Sequence, residues 1–261
     1  DVLNNLSNKE YHPQSRPGLQ AQNDRPTNTI QQQVESITRT FPGYSNFREA
    51  YVKDKEKSII QMVEAIDSLL GSCVVSDTVL PQVSIIIPVY NHFKDTLNCL
   101  KSFKIAQEET PFEIIIIDDG SSDETFDVFS KCKKVRFIRN EENLGFIKSC
   151  NRAAKLARGQ YLVFLNNDTL VLPGWLDALM DTFKDNPGTG LVGSKLIYPD
   201  GRLQEAGGVM WEDASGINFG RDDDPDKPQY NYLRDSDYCS GASICVPKSI
   251  WDELQGFDEL F

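Results

Sequence analysis

Histidine is almost missing from this chain: His12 and His92 are the 2 present in 261 residues. The 6 cysteines are Cys73, Cys99, Cys132, Cys150, Cys239 and Cys245, and no two stand at C-x-x-C spacing. A zinc site, which draws on closely spaced Cys and His, is not expected. The thiols read as free, in a reducing compartment. The expected location is the cytoplasm or the inner face of a membrane. Basic charge is also short, with 27 Lys and Arg against 39 Asp and Glu and a net charge of −12. No basic patch is available to meet phosphates, so nucleic acid is not an expected partner. No apolar run reaches the length of a membrane span, and no signal peptide is visible. The glycine-rich phosphate loops are missing too: no G-x-G-x-x-G follows the first strand and no G-x-x-x-x-G-K-[ST] occurs. Dinucleotide-dependent dehydrogenases and P-loop enzymes are thereby disfavoured.

What is present falls into three parts. Residues 1–45 are rich in Asn, Gln, Pro and Ser and carry few large apolar side chains. That composition predicts a flexible polar tail or linker. Residues 46–72 form a helical extension, because Ile59, Val63, Ile66 and Leu70 repeat on one helical face before Gly71. That face packs on the main domain or serves a second copy in a homodimer. Residues 81–261 form one α/β domain, with 81–170 as a first half and 171–261 as a second.

In the first half strands and helices alternate. Strands are predicted at Val83–Tyr90, Phe112–Asp119, Val135–Asn140 and Tyr161–Leu165. Helices are predicted at Thr96–Ala106, from the capping Asp123 to about Cys132, and at Phe146–Ala157 before Gly159. The strands are nearly continuous apolar runs, which suits burial on both faces of a mainly parallel sheet with right-handed crossovers. Beyond Pro173 the pattern loosens. A helix is expected at Trp175–Phe183, a strand at Gly190–Ile197 and an irregular hairpin at Leu203–Phe219. A mobile acidic loop follows at Arg221–Lys227, then a short strand at Ala242–Val246 and a helix at Pro247–Leu254.

In an open parallel sheet ligands bind beyond the carboxyl ends of the strands. Here those ends read Pro88-Val-Tyr-Asn91, Asp118-Asp-Gly-Ser-Ser122, Asn140 to Gly145, and Asn166-Asn-Asp168. Any one of these could be a turn and a helix cap. All of them on one edge point to a polar ligand. Carboxylates accept hydrogen bonds from ribose hydroxyls and ring N–H groups, but they repel a diphosphate. A divalent cation bridging carboxylate and phosphate oxygens removes the conflict. Hard oxygen donors select Mg2+ or Mn2+, and the expected ligand is Asp168.

At these residues the chain resembles a known family. VSIIIPVYN, EIIIIDDGSSDET, NLGF with KSCNRAA, and YLVFLNNDT are similar to the nucleotide-binding half of family 2 glycosyltransferases, which have the GT-A fold. GASICVPKSIWDELQGFDE resembles the acceptor-side segment of bacterial rhamnosyl- and galactosyl-transferase-like members. The resemblance implies that Pro88, Tyr90 and Asn91 line a nucleoside pocket. It implies that Asp119 contacts base or ribose with Asp118 beside it, that Gly145 lets backbone approach the nucleotide, and that Lys148 reaches a phosphate. Asn166-Asn167-Asp168 stands where the family has Asp-x-Asp, with Asn166 and Asn167 on the nucleotide side and Asp168 on the metal. The departure at Asn166 removes one negative charge.

The family's base lies in a Glu-Asp pair just after the Gly-Phe-Asp-Glu segment. This sequence opens on Asp1 rather than Met and ends at Phe261 before such a pair. A catalytic domain truncated at its C-terminus is therefore expected, with the base beyond Phe261. Asp258 is the candidate within the chain, and by position it reads as structural. The function expected is metal-dependent, inverting transfer of a sugar from a UDP-sugar to a hydroxyl of a glycan or glycoprotein. A nucleotide-sugar-binding or assembly domain without a base is the rival. A sugar-nucleotide pyrophosphorylase would need a glycine- and arginine-rich loop after the first strand, which is missing.

Overall fold

The computed structural model describes residues 44–260, apart from 72 and 75–77, together with residue 32. The tail expected over 1–45 lies almost wholly outside the described residues. Helices α1 (Tyr44–Lys53) and α2 (Lys55–Leu70) open the described chain. One helix was expected there. The break falls at Asp54, which leaves the helical region (φ −145°) and accepts the Lys57 N–H at 3.2 Å. A short carboxylate that can cap a new helix competes with continuing the old one.

The buried face of α2 is Ser58, Ile59, Met62, Ile66 and Leu70, with Val63 only partly covered. It packs into the main core beside Phe93, Phe103 and Phe129. The extension is thus part of the domain. The apolar face offered above to a partner helix is used by the chain itself.

The central sheet holds β1 (Val83–Val89), β2 (Phe112–Asp118), β3 (Arg136–Arg139), β4 (Tyr161–Leu165), β5 (Val192–Gly193) and β10 (Ser243–Pro247), in the order β3-β2-β1-β4-β10-β5. The first four strands run parallel, and β10 lies antiparallel to β4 and to β5. Period-two alternation sends Ile85, Ile87, Ile114 and Ile116 to one core, under α2 and α3 (Phe93–Ala106). Ile86, Ile115 and Ile117 go to the other, under α5 (Phe146–Ala154), where Cys150, Ala153 and Ala154 let the helix approach closely. Two buried faces explain the unbroken apolar runs. Gly159 sits where a Cβ would come within 2.5 Å of the Ser84 nitrogen.

Some expected elements change. The helix after Asp123 is a single turn and a half, α4 (Thr125–Phe129). Asp123 caps it through Thr125 N–H and also accepts the Phe93 N–H, so the carboxylate ties two helix starts together. Past α6 (Trp175–Asp185), the strand expected over 190–197 divides into β5 and β6 (Leu196–Ile197). The second piece leaves the sheet to pair with β7 (Leu203–Glu205). The hairpin is β8 (Gly208–Met210) with β9 (Gly216–Asn218). The acidic loop expected to be mobile is knitted: Asp223 accepts Lys227 Nζ and Tyr230 Oη, and Asp222 pairs with Arg202. Helix α7 (Lys248–Leu254) follows β10. Among the described residues no helix is long and apolar enough to cross a membrane.

Candidate active site

Strand order reverses at β1, which lies between β2 and β4. This is the topological switch point, where an open α/β sheet leaves a crevice beyond its strand ends. The β1–β4 pairing runs to Ile86 opposite Phe164, two residues short of Pro88 and Asn166. Each bank of the crevice is therefore one of the polar strand ends.

On the β1 bank the chain turns sharply. Asn91 and His92 both have φ near +60° (59° and 58°), a conformation in which Asn is among the better tolerated side chains. Asn91 Oδ1 accepts the Ser122 N–H at 2.8 Å, and its own N–H donates to Ser121 Oγ at 2.7 Å. Asn91 is thus fixed across to the β2 end. Tyr90 is half exposed and Pro88 half-buried at the crevice edge.

The two carboxylates at the end of β2 differ. Asp118 is wholly buried and fully engaged, with Arg139 Nη1 at 2.6 Å and the Ser121 N–H at 2.8 Å. It holds the loop, and its complete burial keeps it from solvent. Asp119 Oδ1 accepts from Asn140 Nδ2 (2.7 Å) and the Leu144 N–H (2.8 Å), and Oδ2 accepts the Gly145 N–H (2.9 Å). Asp119 thereby sets the path of the 140–145 segment into α5. Oδ2 carries a single bond and can accept a second. Gly145 has φ +85° and open space where a Cβ would stand, so its left-handed backbone rather than crowding calls for glycine. Lys148 is exposed on the first turn of α5.

On the β4 bank, the Asn166 N–H donates to the Ala242 carbonyl, and its own carbonyl accepts Thr169 Oγ1 at 2.6 Å. Asn167 Nδ2 donates to Thr96 Oγ1 at 3.0 Å, which turns that side chain toward α3 rather than outward. Asp168 is exposed, and its carboxylate has no hydrogen bond or ion pair among the described residues. Beneath this end lies Cys99, whose thiol burial pushes up to about 12. It is an inert packing group at neutral pH.

Among the described residues no group of three or more His, Cys, Asp or Glu could hold a metal by itself. The donors at the β4 end are one free carboxylate and the amide oxygen of Asn166. That set fits Mg2+ or Mn2+ as these ions usually bind, through one or two carboxylates with waters and substrate phosphates completing the shell.

Asp258 is not brought to these groups by any hydrogen bond. It is exposed, and its Oδ1 accepts the Leu260 N–H at 2.9 Å, a local turn. Several residues that shape the site carry no mark in the sequence. Arg139 becomes visible only when β3 is laid beside β2, and Asn151 only when residues 257–259 fold back on α5.

A model of the glycosyl transferase family 2 domain matches residues 84–240, more than half of the chain. Over 191 residues, 69% of this chain, it is 33% identical to the O-antigen biosynthesis protein RfbC of Myxococcus xanthus, but it spans 15% of that protein's length. Over 109 residues, 40% of this chain and 16% of the relative, it is 35% identical to chondroitin synthase of Escherichia coli. Among solved structures it is similar to the mannosyltransferase PcManGT of Pyrobaculum calidifontis in complex with GDP-Man and Mn2+. That match has a TM-score of 0.50 and 17% identity, and covers 88% of this chain and 60% of the other. A similar match to GalNAc-T7 with UDP, GalNAc and Mn2+ has a TM-score of 0.50 and 20% identity, over 70% of this chain and 38% of the other. The sheet and its flanking helices are those of the GT-A fold.

Proposed function

The chain belongs to glycosyl transferase family 2, and we propose that it transfers a sugar from a nucleoside-diphosphate donor, a UDP-sugar, to a hydroxyl of a glycan or glycoprotein with inversion. One observation carries this reading: Asp168, exposed and without a hydrogen bond or ion pair among the described residues, stands just past the end of β4, the strand beside β1 and its Pro88–Asn91 turn. PcManGT and GalNAc-T7, both with nucleotide and Mn2+ in their complexes, support the donor class and the metal.

The nucleoside lies against Pro88, Tyr90 and Asn91, with the spare lone pairs of Asp119 Oδ2 accepting from base or ribose. The backbone at Gly145 passes beside the nucleotide, and Lys148 sets an ammonium against the diphosphate. Asn166 and Asp168 hold the divalent ion, with Asn167 keeping their turn fixed to Thr96. When bound, that ion supplies Lewis-acid stabilisation of the charge on the leaving diphosphate. The acceptor oxygen attacks the anomeric carbon from the face opposite the diphosphate. The new C–O bond forms as the old one breaks, and the hydroxyl proton passes to a carboxylate base.

A second reading is a donor-binding domain without its own base, favoured by the Asp258 carboxylate being turned to Leu260. Calorimetry with UDP, with and without Mn2+ and EDTA, followed by mass spectrometry of acceptor after incubation with UDP- and GDP-sugars, separates the two. Binding is expected, and transfer along with it selects the first reading. Binding without transfer selects the second reading, and no binding removes both.

A further inference from the structure

The side chain of Asn151 is buried in the middle of α5, yet all its hydrogen bonds go to residues more than a hundred positions away. Nδ2 donates to the Phe257 carbonyl (2.9 Å) and to Glu259 Oε1 (3.1 Å), and Oδ1 accepts the Phe257 N–H (2.9 Å). The amide thus pairs with the Phe257 backbone as a strand would. Gly256 serves the same contact. Its φ is +88°, and a Cβ there would stand 2.5 Å from Asn151 Oδ1. The ring of Phe257 packs against Phe164 (5.3 Å) and Phe146 (6.2 Å) at a tilt and meets Trp251 edge-on (4.8 Å). Phe164 lies two residues before Asn166, and Phe146 follows Gly145 directly. One clamp therefore joins the Gly256–Glu259 segment both to the β4 end and to the start of α5.

We propose that Asn151 is a positioning residue for transfer, locking the Gly256–Glu259 segment and its carboxylates in register with the donor floor. The inference rests on the transferase reading. Asn151 touches none of the groups assigned to the donor, so its loss leaves nucleotide binding in place. It loosens the acceptor-side segment instead, and a displacement of about 1 Å in a reacting assembly costs on the order of 100-fold in rate.

The test uses the whole chain with Asn151→Asp, which keeps the acceptor for Phe257 N–H and removes the donor, and Asn151→Ala, which removes both. Three quantities are read: UDP affinity with Mn2+, kcat and donor KM, and amide exchange at Phe257. The expected result is UDP affinity within about twofold of the parent, donor KM unchanged, kcat lower by about 10–100-fold, and faster Phe257 exchange, greatest in Asn151→Ala. Unchanged kcat despite faster exchange overturns the proposal. A parallel fall of kcat and UDP affinity also overturns it, because that marks general damage to α5. Failure of the transferase reading shows separately, as a parent protein that binds no UDP or transfers no sugar, and it removes this inference with it.

Discussion

The two halves of the domain satisfy their polar groups in different ways. In residues 83–170 the four parallel strands are 4–7 residues long, and the carboxylates at their ends are buried and partnered, Asp118 by Arg139 and Asp119 by the 140–145 segment. In residues 171–260 the strands are 2–5 residues long, the charged pairs Arg202–Asp222 and Lys227–Asp223 are exposed, and Met210, Trp211, Ile217, Tyr232 and Leu233 are open to solvent. The first half is a rigid floor whose polar groups hold one another. The second adds β10 and β5 to the sheet and folds most of the rest into a cover of short hairpins and turns. Asp168, at the end of the last floor strand, belongs to the floor by sequence but is partnered by neither half. Burial and partners mark Asp118 and Asp119 as residues kept for the fold, and Asp168 is not among them.

The comparison breaks most visibly at Asp119. Asp119→Ala leaves Asn140 Nδ2 and the N–H groups of Leu144 and Gly145 without their acceptor. The expected cost is about 3–5 kcal/mol of stability, measured by urea denaturation, with uridine binding lost even without metal. A loss under about 1 kcal/mol would mean that the 140–145 segment holds itself. Asp168→Ala, by contrast, should leave the urea midpoint unchanged, since nothing in the fold depends on that carboxylate. It should lower UDP affinity in Mn2+ by about tenfold or more, the worth of one contact to a charged group. EDTA should do the same to the parent. Equal affinity for parent and variant in Mn2+ would take the metal away from Asp168.

The floor was readable in advance because its physics is local. Tyr161–Leu165 is the strand its apolar run announces, and Val83–Val89 and Phe112–Asp118 each fall one residue short of expectation. A strand buried on both faces leaves little else for such a run to do. Expectation failed where a polar cap or a distant partner made the decision. Asp54 ends a helix through a cap that a hydrophobic pattern does not register. The chain over 190–197 splits because β7 draws Leu196 and Ile197 out of the sheet. Of the site, the strand-end positions were legible but the division of labour among them was not. Asp118 and Asp119 are adjacent and identical in type, and only the fold gives the first to Arg139 and the second to the 140–145 segment. Asn151 sits in a helix whose sequence gives no hint of residues 257–259.

The seam between the halves offers a smaller effect. Glu108, in the loop before β2, accepts the Asp177 N–H at the start of α6 with Oε2, while Oε1 is buried without a partner. Burial pushes its carboxyl up to about 7. Asp177 resists the same burial because the N–H groups of Glu109 and Thr110 and the Thr110 hydroxyl hold it below the ordinary range. A raised folded value means that the folded state holds a proton which the unfolded chain has released. Stability therefore falls as pH rises from about 4.3, the ordinary Glu value, to about 7, and is flat above that. Glu108→Gln mimics the protonated form. It should leave Tm unchanged at pH 5 and raise it by about 2–4 °C at pH 8, an estimate already reduced for the screening a partly exposed group feels. A scan of Tm against pH for both proteins decides. An equal shift at both pH values would assign the effect to packing rather than to the proton.

The smallest effect is expected on the cover. Arg202 reaches Asp200 Oδ2 at 2.8 Å through Nε and Asp222 Oδ1 at 2.6 Å through Nη1, which by distance alone is as good as the Arg139–Asp118 pair. The surroundings differ. Asp118 is fully buried, whereas Asp200, Asp222 and Arg202 are all about half exposed. In water the attraction is screened, and holding two long side chains together costs rotamer entropy, so such pairs often contribute nothing measurable. The local backbone has its own supports: Asp222 N–H donates to the Leu203 carbonyl and Leu203 N–H to the Asp223 carbonyl. Arg202→Ala should therefore leave Tm within experimental error in both 20 mM and 500 mM salt. A drop at low salt that disappears at high salt would show that the exposed charges bind the acidic loop to the hairpin. The cover would then be held by the same device as the floor, only nearer the surface.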